Sequence, residues 1–168
     1  TIKDVEHAER VLLIEAAGLT KLSQSLNKTL TNALNILQDI NGRVIVTGMG
    51  KSGHVAKKIA ATLASTGKPA FFIHPGEASH GDIGMISEDD VVLALSNSGE
   101  TPELNDIISY TRRFKIPLIC ITSQISSSIA IESDVSLILP SAEEACFIGL
   151  APTTSTTRSS WGNGSSQH

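Results

Sequence analysis

The chain has 168 residues, 40% of them apolar and 18% charged, with a net charge of −4 at pH 7. This length reads as one domain able to bury about 70% of its unfolded surface, and the apolar share excludes a disordered chain. Net acidity without any lysine or arginine cluster argues against nucleic acid or an anionic membrane as partner, and no apolar run approaches the ~20 residues that span a bilayer. No signal-peptide pattern is seen. Cys120 and Cys146 stand in apolar surroundings at no metal-ligand spacing, which predicts buried free thiols in a reducing cytoplasm.

Residues 1 to about 40 contain one glycine, Gly18, and no proline. Leu12, Ala16, Leu19, Leu22, Leu26, Leu30, Ala33 and Leu37 recur at spacings of three and four, one apolar helical stripe. Gly18 is the expected break between two helices. The stripe is long for a helix covering one sheet face, so self-association is expected.

Val44 to Thr47 reads as strand one, and Gly48-Met49-Gly50-Lys51-Ser52-Gly53 as a tight turn into a helix over about 52–65. Glycines there let the backbone turn sharply and leave the first helical N–H groups open to an anion, phosphate above all. Gly48-x-Gly50-x-x-Gly53 also satisfies the dinucleotide fingerprint, yet Phe71 to Pro75 offers no carboxylate for a ribose. A Walker A loop would need glycine where Ile45 stands. Gly67 is a helix C-cap candidate.

Ala70 to Ile73 reads as strand two, followed by a polar connection over 74–84 that carries His74 and His80. Val91 to Leu95 is strand three and ends in Ser96-Asn97-Ser98-Gly99-Glu100-Thr101-Pro102-Glu103. Thr101 suits a helix cap, Pro102 the first helical position and Glu103 the first turn, with the helix running to Phe114. Pro117 to Thr122 is strand four. The serine-rich stretch Ser123 to Ser128 leads into a short helix near Ile129, and Val135 to Leu139 is strand five, stopped by Pro140. Short apolar strands alternating with helices predict a three-layer αβα sandwich around a five-stranded parallel sheet. The segments 48–53, 74–84, 96–103 and 140–147 all follow strands, so all four converge on one rim, where such sheets bind ligands.

Two of these loops suit phosphate: Gly50-Lys51-Ser52, and Ser96-Asn97-Ser98 with Thr101. Lys51, His80, Glu103 and Glu144 bring an ammonium, an imidazole and two carboxylates to the same rim. That set serves an aldose–ketose isomerisation. A base removes the proton beside the carbonyl, a cation or N–H donor steadies the enediolate oxygen, and an acid returns the proton to the neighbouring carbon. His74 and His80 can both reach a metal, but no third ligand is evident.

Gly48-Met49-Gly50-Lys51-Ser52-Gly53-His54, the run Phe71 to Asp82, Ser96-Asn97-Ser98-Gly99-Glu100, and Glu144-Ala145-Cys146 through Gly149-Leu150-Ala151-Pro152-Thr153 together resemble a sugar isomerase (SIS) domain. The match is nearest to bacterial D-arabinose 5-phosphate isomerases of the KpsF/GutQ/KdsD type and covers about residues 6–157. The resemblance implies a flavodoxin-like parallel sheet, no cofactor, a homotetramer, and interconversion of D-ribulose 5-phosphate and D-arabinose 5-phosphate for Kdo, lipopolysaccharide or capsule synthesis. It places catalytic roles on Lys51, Glu103, Glu144 and His80, leaving Glu103 and Glu144 both open as the base. It places His74 at a position linked to substrate and inhibitory zinc, and Gly67 and Lys68 where the family contacts the sugar phosphate. Family members continue with an apolar helix, a His-Pro-Gly-Gly motif and CBS domains. Here the pattern departs at Arg158, so residues 1–157 are expected to form an isolated or truncated SIS domain and 158–168 a disordered or artificially appended tail. The competing expectation is a non-catalytic sugar-phosphate-binding regulatory module.

Overall fold

The structure, a computed structural model, describes residues 2–143. Its centre is a parallel sheet of five strands in the order β2-β1-β3-β4-β5. These are β1 (Val44–Gly48), β2 (Ala70–Ile73), β3 (Val91–Leu95), β4 (Leu118–Thr122) and β5 (Val135–Ile138). The inner strands β1, β3 and β4 are buried at every position, whereas the edge strand β5 alternates. That is why the inner strands read as unbroken apolar runs: both of their faces are covered.

Successive side chains point to opposite faces of the sheet and build two cores. On one face Val44, Val46, Leu93, Ile119 and Leu137 pack with helices α2 (Lys28–Asp39) and α3 (Gly50–Ser65), and with Leu22 of α1 (Ile2–Ser25). On the other, Ile45, Val92, Ala94 and Cys120 pack with α4 (Pro75–Ser79), α5 (Asn105–Phe114) and α6 (Ser128–Glu132). The three-layer αβα sandwich is therefore present as expected. Cys120 is a buried free thiol, and burial pushes its pKa up; Cys146 lies outside the described residues.

The N-terminal region departs from expectation. Gly18 does not divide it, because α1 runs unbroken through a buried Gly18 to Ser25. The break falls at Leu26-Asn27, where the Asn27 side chain accepts from Thr29 N–H at 2.8 Å and caps α2. A mid-helix glycine costs helix propensity of about 1 kcal/mol without ending a helix, whereas a cap satisfies a terminal donor and fixes a start. The apolar stripe also splits. Leu22, Ala33 and Leu37 are buried, but Leu12 (66%), Leu26 (47%) and Leu19 (37%) are exposed, as are Ile2, Val5 and Leu13 outside the stripe. No described helix is long and apolar enough to cross a membrane.

Two ion pairs fasten the end of the sheet where its strands begin. Asp90, just before β3, takes Arg43 Nη2 at 2.8 Å and Nε at 3.1 Å, together with the backbone N–H groups of Arg43 (2.7 Å) and Ser87 (2.9 Å). Asp134, just before β5, takes Arg112 Nη2 and the Leu118 N–H, each at 2.8 Å.

Candidate active site

β1 lies between β2 and β3, so the chain reverses its direction of travel across the sheet beside β1 and β3. Ligands of open α/β sheets sit at such a reversal, outside the carboxyl ends of the strands. The connections leaving β1 and β3 are the two loops that sequence marks for phosphate.

The first loop depends on its glycines. Gly50 has φ +54°, a left-handed conformation that an L side chain strains to adopt. A Cβ on Gly53 would stand 2.6 Å from the Gly48 carbonyl oxygen, so α3 starts pressed against the end of β1. The helix begins at Gly50, two residues earlier than the sequence suggests, and its N-cap residue Met49 gives no side-chain cap. Early N–H groups at the positive end of the helix dipole are thus left for an anion. Lys51 stands exposed and Ser52 half-buried in this first turn. Thr47, buried at the end of β1, donates to the Ile73 carbonyl at 2.8 Å and ties the ends of β1 and β2 together.

The second loop, 96–101, is shaped by its own hydroxyls. Buried Ser96 lies 2.7 Å, Oγ to Oγ1, from Thr101 and accepts the Gly99 N–H at 3.0 Å. Ser98 Oγ accepts the Glu100 N–H at 3.2 Å. Thr101 is the N-cap residue of a 3-10 turn, Pro102–Leu104, that precedes α5 at Asn105, but its Oγ1 is engaged with Ser96 and makes no cap bond. Glu103 lies in that turn, exposed.

The 74–84 connection is not wholly irregular; it holds α4 and a 3-10 turn at Asp82–Met85. His74 is the N-cap of α4, its Nδ1 accepting the Gly76 N–H at 3.1 Å. That bond assigns the acceptor nitrogen to Nδ1, so the neutral ring carries its proton on Nε2. His80 ends the same helix, exposed. Among the described residues the side chains of Lys51, His80 and Glu103 take no hydrogen bond or ion pair. No group of three or more His, Cys, Asp or Glu able to hold a metal occurs among them either.

Lys51, Ser52, Ser96, Asn97, Ser98, Thr101 and Glu103 therefore share one rim across the strand-order reversal, with His74 and His80 on the connection leaving β2. Gly67 and Lys68 do not join them within one chain. They precede β2, at the opposite end of the sheet, where Gly67 (φ +94°) ends α3 and Lys68 Nζ donates to the Ile40 carbonyl at 3.2 Å. Glu144 lies outside the described residues.

Sequence reading missed the support behind the second loop. Thr122 Oγ1 (3.2 Å) and Ser123 N–H (3.1 Å) donate to the Asn97 carbonyl, and Ser123 Oγ donates to Asn97 Oδ1 at 2.6 Å. Glu100 accepts the Ser128 N–H at 2.7 Å and the Ser128 hydroxyl at 2.6 Å. The Ser128 hydroxyl first, and then its N–H, hold the Glu100 carboxyl below its ordinary range. The only sign in the sequence is the serine-rich run after β4.

A family model described as the SIS domain matches residues 36–160, spanning both loops and all five strands. The chain belongs to the SIS domain family. It is 52% identical over 149 residues to the arabinose 5-phosphate isomerase KdsD of Escherichia coli (strain K12), covering 89% of this chain and 45% of that protein. To the KdsD of Pseudomonas aeruginosa it is 49% identical over 153 residues, covering 91% of this chain and 47% of that protein. The chain thus spans just under half the length of these curated relatives. Among solved structures, an E. coli CFT073 protein in complex with arabinose 5-phosphate superposes with a TM-score of 0.94 at 37% identity, covering 99% of this chain and 89% of that one.

Proposed function

We propose that this SIS domain is the catalytic domain of an aldose–ketose isomerase that interconverts D-arabinose 5-phosphate and D-ribulose 5-phosphate. One observation carries the reading: two loops suited to phosphate flank the strand-order reversal, and each delivers an ionisable side chain, Lys51 or Glu103, beside it. The names of the KdsD relatives and the neighbour bound to arabinose 5-phosphate support the choice of substrate.

The phosphate is held by the α3 amides and the 96–101 loop, which fixes the sugar's reacting end beside the ionisable groups. His80 assists opening of the furanose ring. A glutamate, Glu103 or Glu144, takes the proton from C2 of the aldose. The C2–H pair then forms the C1–C2 double bond of the enediolate, and the Lys51 ammonium offsets the charge gathering on oxygen. Protonation at C1, with the O2 proton passing to O1, gives the ketose with no net gain or loss of protons or electrons. No redox cofactor enters this scheme. Zinc at His74 is a proposed inhibitory contact and takes no step in it.

The exposed stripe of α1 is assigned to subunit contact. Val5, Leu12 and Leu19 recur every seven positions along α1, with Leu26 just beyond its end, and all four are exposed, the pattern of a helix seam seeking a partner helix. A homotetramer is the assembly that goes with this reading. A cytoplasmic location and supply of arabinose 5-phosphate to Kdo, lipopolysaccharide or capsule synthesis belong to the same proposal.

The test uses the full-length protein carrying Lys51→Ala or Glu103→Ala. Turnover is expected to fall by orders of magnitude while the circular dichroism spectrum stays native. Retained turnover in both variants overturns the role assignment. Deuterium uptake from solvent at C2 of arabinose 5-phosphate reports proton abstraction directly; intact binding without uptake would make the chain a sugar-phosphate binder instead.

A further inference from the structure

Glu100 is an anomaly in a loop meant to hold a phosphate. A carboxylate beside a phosphate dianion repels it, and mere electrostatics would favour almost any other residue there. Its side chain is fully committed elsewhere: one oxygen takes the Ser128 N–H and the other the Ser128 hydroxyl, at 2.7 and 2.6 Å. The neighbouring residue is bound to the same place. The carbonyl of Gly99 (φ +72°) accepts the Ile129 N–H at 3.2 Å, and a Cβ on Gly99 would collide with the Ser127 hydroxyl. Ser127 is itself fixed, buried, with its Oγ donating to the Gln124 carbonyl at 2.7 Å. Two consecutive loop residues are therefore fastened to the start of α6, while Ser96 and Ser98 shape the loop from within.

We propose that Glu100 is a positioning residue: by gripping Ser128 it locks the 96–99 loop onto α6 in the shape that receives the phosphate. The inference rests on the sugar-phosphate reading of this rim. It adds that β4, α6 and the loop between them, none of which need touch the ligand, set the affinity for the phosphoryl group. Charge-assisted bonds of this kind are short and strong, and both of Glu100's are short enough to qualify.

The sign of the effect separates positioning from plain electrostatics. Removing a negative charge near an anion should tighten binding if nothing else changes. Under the positioning role, Glu100→Ala in the full chain instead weakens binding of D-arabinose 5-phosphate and of inorganic phosphate, by about tenfold, read by isothermal titration calorimetry. Ser128→Ala, which keeps the N–H donor, should weaken both by a smaller factor, about threefold. The double variant should be no worse than Glu100→Ala, since both changes cut one link. In turnover, KM should rise with kcat nearly unchanged, because ground and transition state share the phosphate contact. A role confined to stability would lower the melting temperature and leave affinity and KM unmoved. Equal or tighter binding by a folded Glu100→Ala protein overturns the proposal; should that variant not fold, unchanged affinity in Ser128→Ala overturns it. If the unaltered chain binds neither ligand, the sugar-phosphate reading itself fails and takes this inference with it, an outcome distinct from unchanged variants of a binding chain.

Discussion

Asp90 shows how a single buried carboxylate is kept ionised. Burial alone would raise its pKa; the Arg43 guanidinium, and then the N–H groups of Ser87 and Arg43, outweigh that and hold it down at about 2, against 3.8 when free. A carboxyl lowered on folding binds fewer protons in the native state than in the unfolded one. Its stabilisation is therefore complete above the unfolded value and is lost as pH falls from about 4 towards 2. The size is on the order of 2 kcal/mol. Urea unfolding at pH 6 and pH 2.5 should show that loss in the unaltered chain and a smaller one in Asp90→Asn. At pH 7 the same variant should cost about 2–3 kcal/mol, the lower end for a broken buried pair, because Arg43 remains partly exposed.

At the scale of elements, α5 ends on an unusual residue. Lys115 takes a left-handed conformation, φ +55°, and is the one described non-glycine residue with positive φ. The turn holds because Ile116 N–H reaches the Thr111 carbonyl at 2.9 Å. Glycine adopts this conformation without the Cβ penalty of an L residue. Lys115→Gly should therefore raise stability by ~0.5–1 kcal/mol, seen as a higher melting temperature, with the lost lysine charge of little account at an exposed site. Local chemistry of this kind is what sequence reports well. The apolar runs that became β1, β3 and β4 were legible, as was the glycine turn before α3, because each is decided within a few residues. Thr101 stands at the N-cap position of the Pro102–Leu104 turn, as read, but its hydroxyl goes to Ser96, a partner chosen only by the folded loop. The Glu100–Ser128 grip spans 28 positions and has no local signature at all. In α1 the weak breaker, Gly18, was more conspicuous than the stronger signal, a capping Asn27.

The molecule as a whole presents one helix that is under-used by its own domain. If the exposed face of α1 meets a second copy, Val5→Glu together with Leu12→Glu should reduce the assembled mass in sedimentation velocity while leaving the fold intact. An unchanged mass would place the subunit contact elsewhere. The sheet order has a quieter consequence. Arg43 and Asp90, which lead into adjacent strands, are 47 positions apart in the chain, and the two candidate phosphate loops are hung on those two strands. Bringing them together closes a large loop early or late, but never piecemeal. If the proposed function holds, a sugar phosphate seated across both loops would bridge the seam between those strands, and adding it should raise the melting temperature of the folded domain.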